Sequence, residues 1–163
     1  MKELVVPQTP DYLRLKKLVL GEFFPWYRTQ NKLDSFYFHS HTFLQRPEVF
    51  GFPVKECQHL ELFQCVFTQI CQHNEDIGFN YLLRMNANSI DPLPTHPKIS
   101  EVHEDHPFPH KNVIIYLTDA GGETIAGDES YPATEDTACL FEGPHCHAMP
   151  EKDRRVVLVV TYA

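Results

Sequence analysis

A mainly β fold with helical support, of the jelly-roll or β-sandwich kind, is what the sequence predicts. Three observations carry that expectation. After residue 78, short β-branched and aromatic runs recur between turn signals. Helical periodicity is confined to the front of the chain. Thirteen prolines against seven glycines favour rigid loops over long helices. The 163 residues are read as a single domain, 1–163, with a helical or irregular support region at 1–77 and a β core at 78–163. A chain of this length buries roughly 70% of its unfolded surface, enough for a real core.

Thr9-Pro10-Asp11 has the form of a helix start, with Thr9 as N-cap, Pro10 at the first helical position and Asp11 near the positive end of the dipole. Leu13, Leu18 and Leu20 are expected to supply its apolar contacts, and Phe23 to Tyr27 an aromatic stop. Phe36 to His39 and His41 to Phe43 look extended. The strongest helical pattern runs from Val54 to His73, where Cys57, Leu60, Phe63, Val66, Phe67 and Ile70 recur at spacings of three and four. One apolar stripe of that kind must cover something, most simply a sheet. Strands are expected over Phe79 to Asn86, Val113 to Leu117, Glu123 to Ile125, Ala138 to Phe141 and Val156 to Tyr162. Gly121-Gly122 suits a turn needing positive φ.

The net charge is −8 with His neutral, which opposes tight nonspecific binding to nucleic acid. Only Lys152 to Arg155 is locally basic. The five cysteines contain no CxxC pair and are read as reduced, with Cys57, Cys65 and Cys71 packing in the core. Met1 to Val6 has no apolar signal region, and no run approaches 18 apolar residues, so a cytoplasmic protein without a membrane span is expected. The sequence does not fix the oligomeric state.

Ten histidines point to metal chemistry. In His103-Glu104-Asp105, an extended backbone would turn residues i and i+2 to one side, so His103 and Asp105 could converge on one ion. A second imidazole would come from His145 or His147, which share a strand parity. Two imidazoles and one carboxylate occupy three octahedral positions on Fe(II) and leave three open. His106 and His110 read as a substrate-facing or solvent-exposed loop, His39 and His41 as structural, and Asn86 and Asn88 as candidates to face the cosubstrate.

From HxD onward the order of features resembles the double-stranded β-helix of the Fe(II)/2-oxoglutarate oxygenases, in particular their prolyl-4-hydroxylase-like branch and its short phage and bacterial relatives. The residues that carry the resemblance are His103-Glu104-Asp105, Ile115-Tyr116-Leu117-Thr118, Gly121-Gly122-Glu123-Thr124, Leu140-Phe141-Glu142-Gly143, His147 and Arg155-Val156-Val157-Leu158. The resemblance covers the C-terminal 60 or so residues closely and the rest loosely. It implies a cupin-like jelly roll with N-terminal helices on one sheet. It also implies iron held by His103, Asp105 and His147, with His145 the rival for the distal position. Arg155, rather than Arg154, would pair with the distal carboxylate of 2-oxoglutarate, and Tyr116 would donate a hydrogen bond to it. Fe(II), 2-oxoglutarate and O₂ are the implied cofactors. The implied reaction is hydroxylation of a peptide side chain or small metabolite, with release of succinate and CO₂. Asp105 favours hydroxylation over halogenation, because related halogenases carry a small residue there. The competing expectation is a metal-binding cupin-like jelly roll without oxygenase activity, which would have no use for Arg155 and Tyr116.

Overall fold

The computed structural model describes residues 1–30, 36–75, 77–78 and 80–163. In chain order the elements are β1 (Lys2–Leu4), α1 (Pro10–Val19), β2 (Tyr27–Gln30), β3 (Tyr37–Gln45), α2 (Pro47–Phe50), β4 (Val54–Lys55), α3 (Leu60–His73), β5 (Leu82–Ile90), β6 (Lys111–Tyr116), β7 (Thr124–Ala126), β8 (Glu129–Tyr131), β9 (Ala138–Glu142), β10 (His145–His147) and β11 (Arg155–Tyr162). The strand order of the large sheet is β1-β9-β6-β11-β5-β3-β2, with β4 beside β3. A small sheet, β10-β7-β8, stands apart from it. Two single bridges, Ile99 to Ala148 and His103 to His145, lay the HxD segment along β10. The result is a mainly β double-stranded β-helix with helices on one face, as expected.

β11 sits at the centre because all eight of its residues are buried. A strand buried on both faces needs the continuous apolar run Val156 to Val160, and must be paired on both edges. It pairs antiparallel with β5 and β6. On the outer face of the large sheet, α1 and α3 cover a core that includes Phe43, Phe63, Phe67, Val113, Leu158 and Tyr162. On the inner face Arg155, Val157 and Val159 line a cavity.

α1 begins where expected, the Thr9 side chain accepting from Tyr12 N–H with Pro10 in the first turn. Its buried stripe is Tyr12, Leu15 and Val19, while Leu13 is half exposed. The apolar leucines alone were a poor guide because Tyr12 sinks its ring and hands its hydroxyl to Asp136. The long helical pattern is shorter than the 54–73 expectation. Val54 and Lys55 pair with Leu44 and Gln45, and the helix starts only at Leu60. The edge of β3 supplies hydrogen bonds that a helix would otherwise supply, so the apolar spacing before Leu60 belongs to a strand and a turn. Cys57 is buried, Cys71 half-buried and Cys65 exposed, so only part of that trio packs inside. The strand expected from Phe79 begins at Leu82; Phe79 itself lies outside the described residues. β1, β2 and β3 come from the first 77 residues yet extend the large sheet, so this segment supplies strands as well as helices. No helix among the described residues is long and apolar enough to cross a membrane.

Candidate functional site

Between the two sheets lies a cavity of about 440 Å³. Its walls include His103, Asp105, His145, His147 and Arg155. Each histidine arrives differently. His145 and His147 share β10 and face inward together, while His103 lies opposite His145 through a single bridge. His103 and Asp105 do not sit on a regular strand. Prolines 107 and 109 bend the segment just beyond the motif, and Asp105 lies in that bend.

The ligand atoms of His103, His145 and His147 lie within 4.8 Å of one another. Their other ring nitrogens are occupied. His103 Nδ1 donates to Glu101 O at 3.0 Å, and His145 Nδ1 donates to Gly143 O at 3.2 Å. His147 Nδ1 lies 3.1 Å from Thr124 Oγ1. A carbonyl only accepts, so the first two rings carry the proton on Nδ1 and leave Nε2 bare for a metal. Burial holds His147 well below the ordinary imidazole pKa, with the nearby Arg155 charge adding to it. Burial likewise lowers His145, against the opposing pull of Asp105. Neutral imidazoles are the form that binds metal.

Asp105 is also at the cluster but is already engaged. Its Oδ1 accepts from Arg84 Nη1 at 2.8 Å, and its Oδ2 lies 3.7 Å from His145 Nε2. Arg46 donates to the Asp105 backbone oxygen at 3.0 Å. Burial pushes the Asp105 carboxyl up, but Arg84, His145, His103 and Arg46 outweigh it and hold it below the usual carboxylate value. Arg84 itself is pulled down to about 10 by burial, against the pull of Asp105. Sequence reasoning missed Arg84. Its signal was a cation inside Leu82-Leu83-Arg84-Met85, an otherwise apolar strand start.

At the far end of the cavity Arg155 is 2% exposed. Its Nη1 donates to Gly122 O and Ala148 O, at 2.9 and 3.1 Å. Its Nε has no partner, and no carboxylate pairs with it among the described residues. Gly122 has φ +85, and a Cβ there would stand 2.7 Å from Ala148 O and 3.2 Å from Arg155 Nη1, so the glycine shapes the cradle. Arg154, by contrast, is exposed, its guanidinium carbon 5.9 Å from the centre of the Trp26 ring. Tyr116 is fully buried beside this end. Its hydroxyl bonds Thr124 Oγ1 at 2.6 Å, so Thr124 links Tyr116 to His147. Thr124 belongs to the Gly121-to-Thr124 motif, but sequence reasoning gave it no role of its own.

The remaining histidines divide. His106 and His110, expected on a substrate-facing or solvent-exposed loop, are buried, at 2% and 7% exposure, and do not line this cavity. His106 binds Glu48 through Nδ1 and Thr161 Oγ1 through Nε2, the latter at 2.7 Å. That brace holds the bend carrying Asp105 against α2 and β11. His41 packs among Phe24 and Phe43 on the outer face, and His39 is half exposed, 3.9 Å from Asp91. Asn88 lines the cavity, and its side-chain oxygen accepts from Asn86 at 2.6 Å.

No protein-family profile matches the sequence, and no curated protein does. Solved structures do match. A 2OG-Fe(II) oxygenase family oxidoreductase from Burkholderia pseudomallei superposes with TM-score 0.67 at 13% identity, covering 99% of this chain and 85% of that one. A viral collagen prolyl hydroxylase from Paramecium Bursaria Chlorella virus-1, determined with 2OG, gives 0.58 at 10% identity over 99% and 96%. A predicted oxalate decarboxylase from Thermotoga maritima gives 0.50 at 11% over 84% and 90%. The chain therefore has the double-stranded β-helix fold shared by these proteins. Within that class its fold resembles the 2OG-Fe(II) oxygenases and prolyl hydroxylases over nearly the whole chain.

Proposed function

We propose that the protein is an Fe(II)- and 2-oxoglutarate-dependent dioxygenase that hydroxylates a small-molecule or peptide substrate. The observation that carries this reading is Arg155. A buried guanidinium without an anion is costly, and one end of this cavity holds one with a free Nε. The opposite part of the same cavity holds the imidazole cluster and Asp105. A dicarboxylate that chelates a metal at one end and pairs with Arg155 at the other satisfies both.

The donor set fits the metal. Imidazole and carboxylate together suit Fe(II), and ligand nitrogens of His103, His145 and His147 lie within 4.8 Å of one another. His103, Asp105 and His147 would hold the ion, with Asp105 using Oδ2 because Arg84 occupies Oδ1. When bound, Fe(II), 2-oxoglutarate and O₂ supply the oxidising chemistry that releases succinate and CO₂. The chain's own residues do the rest. Arg155 anchors the distal carboxylate, Tyr116 and Thr124 hold His147 in place, and Val157 and Val159 keep water from the cosubstrate's flank.

Calorimetry of 2-oxoglutarate binding to metal-loaded protein tests this. Arg155→Gln should weaken binding by at least about 100-fold, since a buried charge-assisted pair is lost. Arg154→Gln should leave it within about twofold, as expected for an exposed cation. Equal losses, or no binding by the parent protein, would remove the cosubstrate from the account.

A second reading has one observation in its favour. His145 stands in the imidazole cluster with His103 and His147, while Asp105 is tied to Arg84. Three imidazoles could hold a metal in a cupin-like protein that needs no 2-oxoglutarate. That reading leaves Arg155 without a role.

A further inference from the structure

The cavity has two cationic ends. Arg155 pairs in register with Ile90, and Thr161 with Arg84. Those two pairs are six residues apart on β11, about 20 Å at ~3.3 Å per residue. A five-carbon diacid that runs from Arg155 to the metal beside Asp105 has one carboxylate on Arg155 and the other on the metal, so neither is left for Arg46.

Asp105 accounts for Arg84, at 2.8 Å. It pairs with Arg46 only loosely, Nη2 standing 3.9 Å from Asp105 Oδ1, an ion pair beyond hydrogen-bond reach. Glu48, two residues on, is bound to His106 instead. Arg46 lines the cavity with a third of its side chain exposed, held in place by one bond from Nη1 to the Asp105 carbonyl. Its remaining donors make no hydrogen bond to a carboxylate among the described residues. Next to this end Asn112 lines the same cavity, fully buried, with neither its amide nitrogen nor its amide oxygen hydrogen-bonded. Asn112 is opposite Thr161 on β11, the residue that also faces Arg84. A buried amide with both ends unsatisfied is unfavourable unless a ligand completes it.

We propose that the primary substrate is a small carboxylic acid bearing an amino or hydroxyl group, its carboxylate bound by Arg46 and its second polar group by Asn112. This rests on the oxygenase reading and narrows it: a free amino acid or hydroxy acid enters, and an internal residue of a peptide, which lacks the carboxylate, does not. Phe36 and Phe38, which also line the cavity, leave an apolar wall for the rest of the molecule.

The test uses the whole protein, loaded anaerobically with Fe(II) and 2-oxoglutarate, and follows the visible charge-transfer band of that complex. The probes are free L-amino acids and 2-hydroxy acids, each paired with its own uncharged carboxamide. At least one acid should shift the band with its amide weaker by at least about tenfold. In Arg46→Gln that acid-to-amide ratio should collapse towards one, and in Arg46→Lys it should persist. In Asn112→Leu the amino or hydroxy acid should lose its advantage over the corresponding unsubstituted acid. Equal potency of acid and amide, an unchanged ratio in Arg46→Gln, or a band that no acid shifts would each overturn the proposal while leaving the oxygenase reading intact. If 2-oxoglutarate produces no band at all, the oxygenase reading fails and this one with it.

Discussion

Thr124 shows how much one hydroxyl can govern at this site. It lies between Tyr116 Oη and His147 Nδ1, at 2.6 and 3.1 Å. Its loss frees the ring to rotate and leaves the buried Tyr116 hydroxyl with only the Cys139 thiol, at 3.8 Å. Groups that orient a metal-binding histidine are worth about 10–100-fold in metal affinity. Thr124→Val should therefore weaken Co(II) binding by about that range, read by optical titration, while the melting temperature changes little. An unchanged affinity would show that packing alone positions His147. The residues with roles at this scale were unevenly legible. His103, Asp105, His147 and Arg155 stand in a recognisable order along the chain. His145 could not be separated from His147, because both share one strand face. Arg46 and Arg84 meet Asp105 only through folding, 59 and 21 residues away along the chain. No local spacing announces such a contact.

At the scale of elements, strand identity was easier to read than strand membership. The run from Val156 to Tyr162 is apolar because both its faces are covered, and it forms β11 nearly as expected. The front of the chain was harder. An extended stretch such as Tyr37–Gln45 does not reveal that it will join β5, since the partners lie 41 to 50 residues on. The helix start was misplaced because Val54 and Lys55 satisfy their backbone groups on β3. α3 then closes the outer face with Phe63, Phe67 and Ile70 fully buried. Phe67→Ala should destabilise the fold by about 3–5 kcal/mol, the usual cost of emptying an aromatic site in a core. A denaturant midpoint that barely moves would mean that α3 is not holding the sheet. The turn before β7 makes a sharper demand. Gly122→Ala would strain a positive φ and push a methyl against Ala148 O and Arg155. Expected together are a loss of about 1–3 kcal/mol in stability and weaker 2-oxoglutarate binding.

For the molecule as a whole, acid should act through the brace around the HxD bend. Burial pushes Glu48 up, but the hydrogen bond from His106 outweighs it and holds Glu48 below its ordinary 4.5. His106 is lowered by burial, against the opposing pull of Glu48, while its Nδ1 donates to that carboxylate. A carboxylate depressed in the folded state binds fewer protons there than in the unfolded chain. Its contribution is then full above about 4.5 and is lost as pH falls through the lower folded value. Asp105, held below 3.8, behaves in the same sense. Metal-free protein should lose stability steeply below pH 4.5, and Glu48→Gln should flatten that slope in urea titrations at several pH values. A parallel slope in the variant would show that other carboxylates dominate.

One cavity brings together the imidazole cluster, Asp105 and Arg155, and the function proposed for it is to hold a metal at the imidazoles and a dicarboxylate reaching Arg155. The most direct measurement is the anaerobic visible spectrum of purified protein with Fe(II), before and after addition of 2-oxoglutarate. The account predicts a new charge-transfer band that is lost in Asp105→Ala and in Arg155→Gln at matched cosubstrate. A protein that binds Fe(II) yet shows no band, or one whose band is indifferent to both substitutions, would contradict it and leave a metal-binding jelly roll held by His103, His145 and His147.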